Sequence, residues 1–190
     1  MKSKIYKPKI MVSSTVYGFT DQITQIAALL KKWGYEVWNS YLGTIKTNSQ
    51  HSTLEDSVIA AKECDLFLGI IRTTCGSGNI GDKNITFEEM KAAIDAGKPY
   101  WFIVHHDVPF TRQLFKHIKN SESIEFKDKK FFDPLCLEMY NYAIKDDDDI
   151  EERVGNWVQE FYSFSDIATY LKTQFNDNKE SIIKLFEERN

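Results

Sequence analysis

The sequence predicts an α/β domain of three layers, in which helices cover both faces of an open sheet of five parallel strands. Short apolar runs alternate with segments that repeat apolar residues at helical spacing, and this order is typical of right-handed β-α-β crossovers. The runs are almost continuously apolar, as expected for strands buried on both faces. A chain of 190 residues with 42% hydrophobic residues can build one core of this kind.

The first four strands are predicted from apolar runs bounded by small or polar residues. They are residues 9–14 ("KIMVSS"), 35–38 ("YEVW"), 65–72 ("DLFLGIIR") and 100–105 ("YWFIVH"). The helices between them are predicted from apolar residues that recur every three or four positions. They are residues 18–34, 52–64 and 86–97. Residues 73–84 are rich in glycine and asparagine, which predicts a loop after the third strand.

Residues 106–155 interrupt this alternation and are predicted to form an insertion before the fifth strand. They are too many for an ordinary connection, so we expect the insertion to contain some helix of its own. The alternation then returns with a strand at 157–163, a helix at 164–175 capped by Ser165, and an amphipathic helix at 179–189. We find no linker that would divide the chain, and we expect a single domain over residues 1–190.

Composition argues against several classes of function. The net charge of −4 does not suit a nucleic-acid partner, because binding to phosphates needs a basic surface. No apolar run approaches the roughly 20 residues of a membrane span, and the amino-terminal run is too short for a signal peptide. Cys64, Cys75 and Cys136 are far apart and lack the spacing of metal ligands. We therefore expect a cytoplasmic protein with reduced thiols, no bound metal and no membrane partner.

Hydroxyl groups follow the first strand, at the edge of the sheet where open parallel sheets bind ligands. Ser13, Ser14, Thr15 and Tyr17 could hold a ribose or a phosphate, or they could form a hydroxyl-rich cap of the first helix. The loop "CGSGNIGD" at 75–82 leads to the same edge and offers backbone amides to a ligand. It matches no phosphate-binding fingerprint, and a plain surface loop is the alternative.

Two adjacent carboxylates, Glu88 and Glu89, open the third helix directly after that loop. Thr86 and Glu89 have the spacing of a capping box, in which the Glu89 carboxylate accepts a hydrogen bond from the Thr86 amide. Spacing alone favours this structural role. The alternative is a carboxylate that lies open in a pocket beside Ser13 and takes part in chemistry.

Three stretches of the chain carry a family resemblance. "KIMVSSTVYGFTDQI", "CDLFLGIIRTTCGSG" and "ITFEEMKAAIDAGKPYWFIVH" resemble the bacterial family catalogued as domain of unknown function 4062. More distantly, the same plan is similar to nucleoside 2-deoxyribosyltransferases and to TIR (Toll/interleukin-1 receptor) domains. The resemblance covers residues 9 to about 106. It implies a flavodoxin-like or TIR-like sheet with the strand order 2-1-3-4-5.

The distant relatives imply chemistry at an N-glycosidic bond. In the deoxyribosyltransferases a glutamate precedes the glycine of an "A-x-G-K-P" motif by eight residues, and that position is Glu89 here. In enzymatic TIR domains a glutamate near the equivalent helix acts at ribosyl C1′ as nicotinamide leaves NAD. The resemblance therefore implies that Glu89 is catalytic. The residues it implies for substrate binding are Ser13, Ser14, Thr15, Tyr17, Gly76, Asp82 and Glu88.

The resemblance leaves three functions open. One is a TIR-like NAD nucleosidase or cyclase, for which NAD is a substrate and no cofactor is needed. The second is a nucleoside or nucleotide 2-deoxyribosyltransferase, although Asp82 is out of register with the acidic residue that those enzymes carry before the helix. The third is a non-catalytic signalling or nucleotide-binding module. The resemblance also implies a homo-oligomer, or a partner protein in a bacterial antiphage defence system.

Overall fold

A parallel sheet of five strands forms the centre of the molecule. The computed structural model describes residues 6–75, 78–81, 83–119, 124 and 128–187. Its strands are β1 (Lys9–Ser14), β2 (Glu36–Trp38), β3 (Leu66–Ile71), β4 (Asn79–Ile80), β5 (Lys83–Asn84), β6 (Tyr100–His105) and β7 (Val158–Phe161). The large sheet has the order β2-β1-β3-β6-β7, and every neighbouring pair is parallel. Counted among the strands of this sheet alone, the order is 2-1-3-4-5, as predicted.

A short antiparallel hairpin, formed by β4 and β5, lies between β3 and the following helix. We predicted a plain loop for this stretch. Gly81 occupies the turn between the two strands with a φ of 61°, a left-handed conformation that glycine adopts without steric cost. The hairpin therefore brings the chain back to the carboxyl edge of the sheet just before the next helix begins.

Helices cover both faces of the sheet. They are α1 (Thr20–Lys32), α2 (Thr53–Glu63), α3 (Ile85–Asp95), α4 (Asp107–His117), α5 (Leu135–Ala143), α6 (Phe164–Leu171) and α7 (Lys179–Glu187). A π-helical segment, Lys172–Asp177, continues α6. One core lies under α1, α6 and α7, and the other lies under α2, α3 and α5. The predicted three-layer class is confirmed, and β1 runs between the two cores.

The insertion packs onto the second core through α4 and α5. Val108 and Met139 are buried there among residues of the sheet. The Arg112 guanidinium joins the two helices, because it donates to Asn141 Oδ1 at 2.5 Å and contacts Asp146 Oδ2 at 2.5 Å. Apolar burial thus holds this segment against the sheet, and the ion pair and hydrogen bond of Arg112 hold its two helices together.

Two helix starts differ from the sequence prediction. Helix α1 begins at Thr20 with Phe19 as its N-cap residue, and no side chain bonds to that cap. The interpretation of the earlier hydroxyls as a cap of this helix is therefore wrong. The cap of α6 is Ser163 and not Ser165, and Asp166 Oδ2 accepts a hydrogen bond from the Ser163 amide at 2.9 Å.

In the described part of the chain, no helix has the length and apolar character needed to cross a membrane.

Candidate active site

A cavity of about 240 Å³ opens at the carboxyl edge of the sheet, beside the end of β1. Strand β1 lies between β2 and β3, where successive connections leave in opposite directions, and open α/β sheets bind ligands at such a point. The described lining consists of Met11, Val12, Ser13, Ser14, Thr15, Val16, Tyr17, Ser40, Thr53, Ser57, Cys75, Gly78, Ile85, Thr86 and Glu89. Among these residues Glu89 is the one carboxylate, and there is no lysine or arginine. We call this space the Glu89 cavity.

Strand β1 presents Ser13 to the cavity because side chains alternate along a strand. Met11 packs into the core under α2 and α3, so Ser13, two residues later, faces the same helices. Only 2% of Ser13 is exposed. Its hydroxyl donates a hydrogen bond to Glu89 Oε2 at 2.5 Å. The first strand and the third helix, which are far apart in sequence, thus meet at this bond.

Helix α3 turns Glu89 toward the cavity and not toward its own amino end. Asn84 is the N-cap: its Oδ1 accepts from the Phe87 amide at 3.1 Å, and its Nδ2 donates to the Cys75 carbonyl at 2.9 Å. Thr86 therefore lies within the first turn and cannot be the N-cap. The capping-box interpretation of Thr86 and Glu89 is wrong, because the helix begins earlier than their spacing suggests.

Burial and hydrogen bonding act in opposite directions on the Glu89 carboxyl. Only 5% of Glu89 is exposed, and this burial raises its pKa above the ordinary value of a glutamate. Hydrogen bonds with Ser13 and Ser57 lower the pKa and offset part of that effect. Two hydroxyl donors thus support the charged form of a buried carboxylate.

Sequence reasoning did not identify Ser57 as a site residue. It lies on α2, where 2% of it is exposed, three and four residues before the buried Ala60 and Ala61. Residues at this spacing share one face of a helix. Helical periodicity would have placed Ser57 facing the sheet, but its contact with Glu89 depends on how α2 and α3 pack together.

The segment after β1 forms one wall of the Glu89 cavity. Ser14 and Thr15 are 8% and 6% exposed, whereas Tyr17 is 86% exposed and stands at the rim. Arg72, which the sequence analysis did not single out, holds this segment in place. Its Nη1 donates to the Tyr17 carbonyl at 2.8 Å and to the Thr15 carbonyl at 3.4 Å. Its guanidinium also lies over the Phe19 ring, 4.6 Å from the centroid.

The remaining predicted site residues are not in the described lining. Glu88 forms an ion pair with Lys91 along the surface of α3. Consecutive residues of a helix point about 100° apart, so Glu88 and Glu89 cannot both face the cavity squarely. Gly76 and Asp82 lie outside the described residues.

All three cysteines are free and buried, as predicted. Cys75 lines the Glu89 cavity, and 4% of it is exposed. A hydrogen bond with Cys136 and burial both raise the pKa of the Cys75 thiol. The raised pKa favours the neutral thiol, which is a poor nucleophile.

The fold and the site together define the class of protein. It is a doubly wound α/β domain with a hydrogen-bonded carboxylate buried in a cavity at the switch point of the sheet. The family described as domain of unknown function (DUF4062) matches residues 9–176, and the chain belongs to this family. The match confirms the resemblance and extends it beyond the amino-terminal half.

Comparison with curated proteins finds no match to this chain. Among solved structures, the chain is similar to a CMP N-glycosidase, BcmB, from Clostridium botulinum. The two share 14% sequence identity with a TM-score of 0.48, over 87% of this chain and 98% of that one.

Proposed function

We propose that this protein is an enzyme that cleaves the N-glycosidic bond of a nucleoside or nucleotide, including NAD, and that Glu89 is its catalytic carboxylate. One observation carries the proposal: Glu89 lies in a cavity at the ligand-binding edge of the sheet and accepts a 2.5 Å hydrogen bond from Ser13. A carboxylate that served only to cap α3 would lie on the Thr86 amide with no cavity before it.

The proposed reaction suits a buried carboxylate. When the bond between C1′ and the base nitrogen breaks, the electron pair leaves with the base and positive charge develops at C1′. The Glu89 carboxylate either stabilises this charge or forms an ester with C1′. Water then attacks C1′ and releases a proton, which balances the proton that a neutral base takes up on leaving. In a deoxyribosyltransferase a second base takes the place of water.

The two hydroxyl donors favour the charged form that the reaction needs. Cation stabilisation and ester formation both require ionised Glu89, and burial opposes ionisation. Hydrogen bonds from Ser13 and Ser57 favour the ionised form. We therefore expect activity to rise with pH as Glu89 loses its proton, with a midpoint above the ordinary pKa of a glutamate.

The composition of the lining favours a sugar next to Glu89. Ser14 and Thr15 offer hydroxyl and backbone groups to ribose, and Tyr17 lies at the rim. The described lining carries no cationic side chain, so any phosphate of a nucleotide or of NAD would extend outward from it. The family resemblance adds two points to the proposal. The protein assembles with a second copy or with a partner protein, and it acts in antiphage defence.

Product analysis tests the proposal. Purified protein is incubated at low and high concentration with NAD, and separately with a deoxynucleoside and an acceptor base, and products are identified by mass spectrometry. Release of nicotinamide identifies an NAD nucleosidase, and a new deoxynucleoside identifies a transferase. Activity only at high concentration indicates a site that needs association. Absence of turnover under every condition would contradict an enzyme and favour a binding or signalling module.

A further inference from the structure

A second cavity, of about 340 Å³, adjoins the Glu89 cavity at the carboxyl end of β2. It is lined by Ser40, Gly43, Ile45, Thr47, Asn48, His51, Thr53, Asp56 and Ser57. Ser40, Thr53 and Ser57 also line the Glu89 cavity, so the two spaces share a wall. Small-molecule sites usually enclose about 300–1,000 Å³, and the Glu89 cavity alone falls short of that range. A whole nucleoside therefore needs the adjoining space as well.

Hydrogen bonds fix the far side of the second cavity. Asp56 is 8% exposed; its Oδ1 is 2.9 Å from His51 Nδ1, and its Oδ2 accepts from the Asn48 amide at 3.1 Å. Asn48 Oδ1 accepts from the Gln50 amide at 3.0 Å, and Asn48 Nδ2 lies 3.4 Å from His51 Nε2. The His51 ring thus lies within hydrogen-bonding distance of both Asn48 and Asp56. This turn is ordered before any ligand arrives, which lowers the entropic cost of binding.

The chemistry of this lining suits a neutral, flat heterocycle. Both carboxylate oxygens of Asp56 are already engaged, and the described lining holds no lysine or arginine. Ile45 offers an apolar surface that itself packs against the core. Ser40, Thr47 and Thr53 offer hydroxyls that can donate to or accept from the ring nitrogens and exocyclic groups of a base.

We propose that the second cavity is a base subsite, which holds the nitrogen heterocycle of the substrate while its sugar lies against Glu89. This inference rests on the proposed function for the position of the sugar. Ser57 stands where the two spaces meet, since it bonds to Glu89 and lines both cavities. The segment between β2 and α2 then determines which base is accepted, and Glu89 determines whether its bond to the sugar is cleaved.

A bulky substitution at Thr47 tests the subsite without touching the Glu89 cavity. Thr47 is exposed and lines the second cavity alone, so Thr47→Trp fills that space at little cost to folding. Ser49→Trp is the matched control, because Ser49 is an exposed residue of the same segment that lines neither cavity. Thermal unfolding of both variants verifies that each is folded. Two readouts follow, the kinetics of base release from nucleosides and the binding of free adenine, cytosine and nicotinamide by saturation-transfer NMR.

We expect Thr47→Trp to raise KM for nucleosides by about tenfold or more with a smaller change in kcat, and to abolish binding of the free bases. Ser49→Trp should change neither. If the wild-type protein turns over nucleosides and Thr47→Trp matches it in KM and base binding, the subsite is overturned while the proposed function stands. If no nucleoside is cleaved but a free base binds and Thr47→Trp abolishes that binding, the subsite stands without the proposed enzyme. If no base binds to the wild-type protein, the subsite is overturned.

Discussion

Removing the Ser13 hydroxyl should destabilise the protein in a way that depends on the charge of Glu89. Ser13 and Glu89 are 2% and 5% exposed, so both partners of this bond are buried. The 2.5 Å bond from Ser13 to Glu89 Oε2 favours the ionised carboxylate. Ser13→Ala therefore raises the pKa of Glu89 further above its ordinary value.

The magnitude follows from the kind of bond that is lost. A hydrogen bond to a charged group contributes about 1.5–3 kcal/mol, whereas one between neutral groups contributes about 0.5–1.5 kcal/mol. Ser13→Ala should therefore lower the free energy of unfolding by about 1.5–3 kcal/mol where Glu89 is ionised. In a chain of this size, that corresponds to a fall in Tm of roughly 3–12 °C. Where Glu89 is protonated, the loss should be about half as large.

Through Glu89, the stability of both the wild-type protein and Ser13→Ala should fall as the pH rises. A glutamate whose pKa is raised on folding binds its proton more tightly in the native state than in the unfolded state. This tighter binding adds to the free energy of unfolding. The added stability is complete below the ordinary glutamate pKa of 4.5 and is lost as the pH rises through the raised pKa of Glu89. Because Ser13→Ala raises that pKa further, the variant should lose more stability than the wild-type protein as the pH rises above 4.5.

Urea unfolding at several pH values measures this difference. Ser14→Ala is the matched control, because Ser14 is its buried neighbour in β1 and its hydroxyl donates to the Thr15 carbonyl at 3.2 Å. The control should lose less stability, and its loss should be independent of pH. Equal losses in the two variants, or a Ser13→Ala loss that is the same at acidic and neutral pH, would refute the coupling of Ser13 to an ionised Glu89.

Three further changes have defined outcomes in urea unfolding. Arg72→Met removes a cation that donates to the Tyr17 carbonyl at 2.8 Å, and should lower the free energy of unfolding by about 1.5–3 kcal/mol. No measurable loss would show that this bond does not hold the segment after β1. Gly69→Ala would place a Cβ 2.4 Å from Phe102 Cε1, and should cost about 1–3 kcal/mol, with partial recovery in Gly69→Ala/Phe102→Leu. Lack of recovery would contradict a clash with that ring. Asn84→Ala should cost about 0.5–2 kcal/mol, because it removes the side-chain acceptor that caps α3; no measurable loss would contradict capping by Asn84.

Burial on both faces makes the central strands predictable from sequence. Strand β6 spans Tyr100–His105, the predicted 100–105, because its apolar run continues from one end to the other. The edge strand β7 is shorter than the predicted 157–163. Trp157 and Tyr162 flank it and are 74% and 67% exposed, so they extended the apolar pattern without belonging to the sheet. A hydrophobic pattern predicts the limits of a strand only where helices cover both faces of the sheet.

The start of α3 and the role of Arg72 depend on tertiary contacts, which residue spacing does not reveal. Thr86 and Glu89 have capping-box spacing, but Asn84 starts the helix earlier and is fixed by its bond to the Cys75 carbonyl. Local pattern cannot reveal such a competitor, because the bond depends on the path of the intervening hairpin. Arg72 was missed for the same reason, since it bonds to a carbonyl 55 residues away in sequence. The convergence of Ser13 and Glu89 was predictable, because parallel strands direct both segments to one edge.

The most direct test of Glu89 as the catalytic carboxylate is the rate of base release by the wild-type protein, Glu89→Gln and Glu88→Gln, measured on one substrate. Glu88 is the adjacent carboxylate of α3, and it pairs with Lys91 outside the cavity lining, so its variant controls for the loss of a charge on this helix. Glu89→Gln should lose activity by roughly 10²-fold or more, as when electrostatic support of a transition state is removed. Glu88→Gln should keep nearly the wild-type rate. Wild-type activity in Glu89→Gln, or an equal loss in both variants, would contradict a catalytic role for Glu89.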